Sequence, residues 1–166
     1  MQIKISGLQE GEHHYYFNVS SKDLDIENYD LEAGIDLNVN LYKTYNQFTV
    51  KTELSCKLKC ECDRCLENIE LSVYNVFELV YKFDFGNRVE IESNDNYKIL
   101  SPDVSHIDLK DDVRDYFLLS VPMKKIPPEK DGICSFCKKS INEILNNVQQ
   151  DSSNPVWEKL LKNKNQ

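Results

Sequence analysis

The chain contains no long hydrophobic run. None of its apolar stretches approaches the roughly 18 residues that a membrane-spanning helix needs. It begins with the mostly polar segment MQIKISGLQEGEHH, which lacks the apolar core of a signal peptide. We therefore predict no membrane span and expect the protein in the cytoplasm. Because that compartment is reducing, its 6 cysteines are more typical of thiols and metal ligands than of a disulfide framework.

The sequence also lacks the motifs of common catalytic sites. It has no glycine-rich phosphate-binding loop. No nucleophile, base and orienting acid can be recognised around its 3 histidines, which are His13, His14 and His106. The sequence therefore predicts a protein that is not an enzyme.

Charge is distributed unevenly along the chain. The net charge of −8 argues against a general binder of polyanions. Residues 1–120 hold 12 lysines and arginines against 23 acidic residues, whereas residues 121–166 hold 8 lysines against 5 acids. The length of 166 residues suits one domain. Within it we predict an antiparallel sheet with a covering helix over residues 1–121, and a lysine-bearing C-terminal segment over residues 122–166.

The longest alternation of apolar and polar residues runs from Phe48 to Cys62. A period of two is typical of a half-buried β-strand. The alternation also occurs in residues 35–41 and 69–85, and Asn46 suits the turn between the first two strands. The pattern predicts a meander of three long antiparallel strands. Weaker patterns predict short strands over residues 2–6, 15–19 and 97–100, and connections over residues 20–34, 86–96 and 122–133.

Helices are expected after the strands, which makes the fold class α+β. Apolar residues recur at helical spacing in residues 109–117. Asp108 can cap this amphipathic helix and Pro122 should end it, so it is the predicted cover of the sheet. Ser140 and Glu143 form a capping-box pattern before a short helix. The dipeptide at 154–155, Asn-Pro, precedes a final helix that carries Trp157.

Four cysteines form two pairs with the spacing Cys-x-x-Cys. Cys62 and Cys65 follow the long strand, and Cys134 and Cys137 lie in the C-terminal segment. Each pair can direct two thiolates at one metal ion, and two pairs supply the tetrahedral site that zinc prefers. The 68 residues between the pairs exceed the usual separation of roughly 15–20. We predict a zinc site formed by these four residues, with buried reduced thiols as the structural alternative.

The other two cysteines and the redox chemistry of the first pair have simpler interpretations. Cys56 and Cys60 keep the apolar parity of the long strand, which indicates small hydrophobic residues, although Cys60 could substitute as a ligand. Disulfide exchange at Cys62 and Cys65 is an alternative to metal binding. Redox pairs of that type open a helix, whereas strand-like alternation follows this one.

Lysines of the C-terminal segment could contact RNA phosphates. Trp157 or Phe136 would then supply a stacking surface. The structural alternative is a solvated face. The lysines in question are Lys124, Lys125, Lys130, Lys138, Lys139, Lys159, Lys162 and Lys164.

Three short motifs together resemble the bacterial YceD family. They are CDRCLE at 62–67, DDVRDYFLLSVPMKKIP at 111–127 and NPVWEKL at 154–160. In order and spacing the resemblance covers residues 35–166. It implies a cytoplasmic protein that supports the accumulation of large-subunit ribosomal RNA, without an established enzymatic activity.

The resemblance also bears on the cysteines and on partners. It implies that the first pair and Arg64 belong to the family's signature, and many members carry a second pair where Cys134 and Cys137 lie. Arg64 could meet a phosphate or pair with an acid. Two alternatives to an RNA-binding factor stay open: a protein-interaction module, docking a ribosomal or assembly protein on a strand edge or on the Trp157 helix, and a thiol-redox enzyme.

Overall fold

Long strands dominate the regular structure of the described residues, as the alternation predicts. The computed structural model describes residues 1–83, 96–127, 129–135, 137–140 and 142–144. It divides into two compact units. The first consists of Met1–Cys60 and Glu70–Met123, and the second of Glu61–Ile69 and Lys124–Gln166. We call them the sheet unit and the cysteine unit.

A five-stranded sheet forms the frame of the sheet unit. Its strands, in spatial order, are β2 (Gly11–Val19), β3 (Asp30–Lys43), β4 (Gln47–Glu61), β5 (Asn68–Phe83) and β6 (Tyr97–Leu100). The pairs β2–β3 and β3–β4 are antiparallel. The connection over residues 62–67 is too short for a parallel crossover, so β4 and β5 are antiparallel as well. The predicted three-strand meander is thus present.

The edge strand β6 runs parallel to β5, with Val80 opposite Tyr97 and Phe83 opposite Leu100. Because this pair is parallel and the others are antiparallel, the sheet is mixed. The sequence predicted a strand at these residues but not its direction. Strand β1 (Gln2–Lys4) pairs antiparallel with β7 (His106–Asp108) in a separate two-stranded sheet. The coarse class, α+β with a largely antiparallel sheet, fits the structure.

The core of the sheet unit follows the predicted parity. Alternate side chains of β3, β4 and β5 are buried, among them Leu37, Phe48 and Leu79. Leu24 and Ile26 are also buried, although they lie in the stretch predicted to be an acidic connection. An apolar residue among carboxylates can still point inward, because a turn lets neighbouring side chains point in different directions.

Two predicted connections were wrong in part. The one over residues 20–34 ends at residue 29, since β3 begins at Asp30 and continues across a register shift between Leu31 and Ile35. The one over residues 122–133 contains the two-residue strand β8 (Glu129–Lys130), which pairs with β9 (Ile133–Cys134). Of the predicted connection over residues 86–96, all but residue 96 lies outside the described residues. The predicted strand at 15–19 begins earlier, at Gly11.

One helix, α1 (Lys110–Ser120), contributes Val113 and Phe117 to the core of the sheet unit. The predicted cap was wrong by one residue: Leu109 is the N-cap and makes no side-chain cap hydrogen bond. The carboxylate of Asp108, one residue earlier, still accepts the N–H of Lys110 at 3.0 Å, a backbone donor that the helix leaves free. The helix ends before Pro122, as predicted. It is not long and apolar enough to cross a membrane. The helix predicted at residue 155 lies outside the described residues.

Candidate metal centre

The first cysteine pair lies in the turn that follows β4. The N–H of Leu66 donates to the carbonyl of Cys62 at 2.9 Å, and the N–H of Cys62 donates to the carbonyl of Glu67 at 2.9 Å. Leu66 has a left-handed backbone with φ of 59°. These two bonds close the chain tightly around the pair, so both sulfurs belong to one short turn.

The second pair repeats this geometry position by position. The N–H of Lys138 donates to the carbonyl of Cys134 at 3.0 Å, and the N–H of Cys134 donates to the carbonyl of Lys139 at 3.2 Å. Lys138 has the same left-handed φ, 59°. Each pair therefore forms the same turn, which we call a cysteine knuckle, with residues 62–67 in knuckle 1 and residues 134–139 in knuckle 2.

The thiols of the two knuckles meet inside the cysteine unit. The sulfurs of Cys62, Cys65 and Cys134 all lie within 4.8 Å of one another. The thiol of Cys137 is near enough to Cys65 to help raise the pKa of that thiol. A tetrahedral zinc ion with zinc–sulfur distances of about 2.3 Å needs sulfurs roughly 3.8 Å apart. The three sulfurs are close enough for one metal ion. Among the described residues the group includes neither Cys60 nor Cys137, so the structure brings together three of the four predicted ligands.

The surroundings of Cys65 disfavour its thiolate. The backbone N–H of Glu67 favours the Cys65 thiolate, but loss of water and the hydrogen bonds with Cys62 and Cys137 raise the pKa of Cys65 to about 11. A cation bound here would reverse the shift, since it stabilises thiolates. Disulfide exchange requires a thiolate of lowered pKa, so this shift does not favour a redox role for Cys65.

Further backbone contacts hold the knuckles within the cysteine unit. The N–H of Asp63 donates to the carbonyl of Lys125 at 2.9 Å, and the Asp63 carboxylate accepts the N–H of Lys125 at 2.6 Å. After knuckle 2, the predicted capping box is present. The N–H of Ser140 donates to the Glu143 carboxylate at 2.8 Å, and the N–H of Glu143 donates to the Ser140 hydroxyl at 3.2 Å.

The predicted contact residues of the cysteine unit differ in their exposure. Lys124, Lys138 and Lys139 are exposed, whereas Arg64 and Lys125 are half-buried. In the described part of the chain, none of these four lysine side chains forms an ion pair. Trp157 lies outside the described residues.

Basic side chains of the sheet unit contrast with these lysines. Lys57 pairs with Glu32 at 3.2 Å, and Lys110 pairs with Asp25 at 2.8 Å. Cys56, expected on the buried face of β4, is half-buried, and so is Cys60.

Leu66 and Asp63 were not singled out from the sequence. Leu66 is 75% exposed and yet has a left-handed backbone, which glycine or asparagine would have signalled and leucine does not. The pairing of Asp63 with Lys125 joins residues that are far apart in the sequence, so no local pattern could reveal it.

The fold and this site define an α+β protein in which two matching knuckles bring three cysteines together as a candidate metal centre. The chain belongs to the YceD family: a family model described as "Large ribosomal RNA subunit accumulation protein YceD" matches residues 50–162. The match begins within β4 and includes both cysteine pairs, and membership connects the chain with the accumulation of large-subunit ribosomal RNA. No curated protein and no solved structure matches it.

Proposed function

We propose that this chain is a non-enzymatic, cytoplasmic factor that supports the accumulation of large-subunit ribosomal RNA by binding RNA or a pre-ribosomal particle. The family description names that accumulation. One observation carries the proposal further: two matching knuckles bring thiols together in a unit where Lys124, Lys138 and Lys139 are exposed and, within the described residues, form no ion pair. The cysteine unit is thus the proposed contact module, and the sheet unit its scaffold.

Zinc is the metal that the thiol cluster suits best. Four cysteine sulfurs are soft ligands, and zinc accepts four of them in a closed tetrahedral site without redox chemistry. Among its described residues, the cysteine unit has few buried apolar side chains to hold it together, and these include Cys62, Ile69 and Cys134. A structural metal would therefore supply much of its folding free energy.

The metal assignment is tested by metal analysis of purified variants. We expect one zinc per chain in the wild type, and loss of that zinc in Cys134→Ser and Cys137→Ser. Cys56→Ser is the matched control, because this thiol lies on β4 in the sheet unit and should leave the zinc content unchanged. A wild-type protein that takes up no zinc from a zinc-containing buffer would refute the assignment.

RNA contact follows from the charge of the cysteine unit. Exposed lysines without carboxylate partners can neutralise phosphates and release counterions at no cost in broken ion pairs. We expect the combined change of Lys124, Lys125, Lys138 and Lys139 to Glu to weaken RNA binding strongly and to flatten its salt dependence. The matched control reverses four exposed lysines of the sheet unit, Lys4, Lys22, Lys51 and Lys59, so that the net charge changes equally.

Crosslinking of the tagged protein in its own cells, followed by identification of the attached RNA, tests the proposal as a whole. Enrichment of one region of large-subunit ribosomal RNA, lost in the first lysine variant and kept in the second, is the expected result. Recovery of no RNA would refute direct RNA binding.

Protein binding is the second candidate function. Leu119 is 79% exposed and Met123 is fully exposed near the end of α1, and exposed apolar residues of this size are typical of protein contacts. A protein partner would remain bound after nuclease treatment and would be lost in a Leu119→Ser, Met123→Ser double variant. An RNA-dependent association would show the opposite response to nuclease.

A further inference from the structure

Each knuckle places a non-glycine residue in a strained conformation directly after its second cysteine. Leu66 and Lys138 both have φ of 59°, where the Cβ of an L-residue crowds its own backbone. Glycine adopts this conformation without that crowding. Neither side chain is needed to fill a core, since Leu66 is 75% exposed and Lys138 is also exposed.

We propose that Leu66 and Lys138 are the residues of the knuckles that contact RNA, and that the strain at both positions is retained for these side chains. The inference rests on the proposed function and assigns it to particular atoms. The ammonium group of Lys138, with that of its neighbour Lys139, would meet backbone phosphates. The leucine side chain would pack against an exposed base or ribose.

The two side chains can serve one RNA segment because the knuckles are joined through their thiols. Leu66 directly follows Cys65 in knuckle 1, and Lys138 lies in knuckle 2 with Cys134. The sulfurs of Cys65 and Cys134 lie within 4.8 Å of each other. The backbones of Leu66 and Lys138 are also fixed, because the N–H of each donates to the carbonyl of the first cysteine in its knuckle. A fixed backbone lowers the entropy that the side chain loses on binding.

Charge favours RNA over a protein as the occupant. Lys138 and Lys139 follow each other in knuckle 2, both are exposed, and neither forms an ion pair in the described part of the chain. Two adjacent unpaired cations in knuckle 2 suit successive phosphates, and the exposed leucine of knuckle 1 suits the apolar face of a base or ribose.

Glycine substitution separates a contact role from a structural one. A residue that only shapes the turn should be replaceable by glycine with a gain in stability and no loss of binding. We expect Leu66→Gly and Lys138→Gly to keep their zinc and to raise Tm by about 2–4 °C. Asp131→Gly is the matched control, because Asp131 is exposed, lies in the β8–β9 turn and has a similar φ of 55°.

RNA affinity is measured with fluorescent fragments that together span the large-subunit ribosomal RNA. Leu66→Gly should weaken binding of the preferred fragment roughly three- to tenfold without changing the salt dependence, since no charge is removed. Lys138→Gly should weaken it and reduce the slope of log K against log salt concentration by about 0.7. Asp131→Gly should bind at least as well as the wild type.

Three outcomes decide the matter. Wild-type affinity in both glycine variants, with the wild type binding RNA, overturns this inference and leaves the proposed function intact. Absence of binding by the wild type overturns both. If the glycine variants keep RNA binding but lose a protein partner that survives nuclease treatment, the inference is overturned in favour of a protein interface. If glycine loosens a knuckle and zinc is lost, Leu66→Asn and Lys138→Asn replace the variants, because asparagine also tolerates this conformation.

Discussion

Thr52 occupies a core position on β4 but carries a hydroxyl group that finds no hydrogen-bond partner in the described part of the chain. A buried, unsatisfied hydroxyl costs free energy, whereas a methyl group of the same shape does not. We expect Thr52→Val to raise the free energy of unfolding by about 1 kcal/mol. Urea denaturation measures the change.

The control for Thr52 is Thr49, on the other face of the same strand. Its hydroxyl accepts a hydrogen bond from the Gln47 side chain at 3.2 Å. Thr49→Val should be neutral or slightly destabilising, because it removes a satisfied group near solvent. A destabilised Thr52→Val protein would mean that the hydroxyl is satisfied in solution.

Gly34, at the register shift of β3, is a second position where one side chain decides stability. A Cβ added there would lie 2.8 Å from the Val19 carbonyl oxygen, and φ is +85°. Gly7 has a similar φ of +75° with nothing within 4 Å of such an atom. We expect Gly7→Ala to cost about 1 kcal/mol, from backbone strain alone. Gly34→Ala should cost roughly 2–4 kcal/mol because the strand must also shift. Equal costs in urea denaturation would show that β3 adapts freely.

At the residue scale, cysteine spacing made the thiol cluster predictable, since two Cys-x-x-Cys pairs are a typical spacing of metal ligands. The conformations of Leu66 and Lys138 were not predictable, because neither residue type favours a positive φ. The burial of Leu24 was missed for a related reason. Its neighbours are acidic, and a pattern of two or three residues does not reveal which side chain points into the core.

At the element scale, a side-chain contact joins β2 to β3 on the polar face of the sheet. The carboxylate of Asp36 accepts hydrogen bonds from the Tyr16 hydroxyl and from the Asn18 amide. The Tyr16 hydrogen bond, followed by that of Asn18, lowers the pKa of Asp36 below its ordinary value. A carboxyl group of lowered pKa stabilises the fold above its unfolded pKa and loses that contribution as pH falls through the folded pKa.

We therefore expect Asp36→Asn to lower stability at neutral pH and to reduce the loss of stability on acidification below about pH 4. Thermal denaturation between pH 7 and pH 3 measures both effects. Asp103→Asn is the control, because Asp103 is exposed and makes no hydrogen bond or ion pair within the described ranges. If Asp36→Asn lost as much stability between pH 7 and pH 3 as the wild type, the contact would not be formed in solution.

Strand positions were largely predictable because a period of two persists over long segments. The parallel direction of β6 was not, since alternation is the same in both directions. Lys98 on β6 forms an ion pair with Asp112 on α1, a long-range contact that no local pattern reveals. The β8–β9 hairpin did have a sequence signal, the Asp131-Gly132 turn, which outweighs the irregular composition around it.

At the scale of the whole molecule, the boundary between units depends on contacts that join distant residues. The turn of Glu61–Ile69 belongs with Lys124–Gln166, although β4 and β5 flank it in sequence. The change of composition near residue 121 indicates where the C-terminal segment begins. It cannot indicate that a turn some 60 residues earlier folds with that segment, because the thiol cluster and the bonds between Asp63 and Lys125 act across the chain.

The two units should respond differently to loss of metal. Among the described residues, the main hydrophobic core lies in the sheet unit, whereas the knuckles bring the thiols of Cys62, Cys65 and Cys134 together. We expect a chelator, or Cys137→Ser, to remove hydrogen-exchange protection from the amides of Leu66 and Lys138, whose bonds close the knuckles. The amides of Leu37 and Val39, in the centre of β3, should remain protected.

Cys56→Ala is the control for that experiment, because it removes a thiol from the sheet unit and leaves the knuckles unchanged. It should leave protection at Leu66 and Lys138 as it is in the wild type. Equal loss of protection in β3 and in the knuckles after chelation would mean that the two units unfold as one. The free energy of metal binding would then stabilise the whole chain, and the cysteine unit could not be described as a separately ordered contact module.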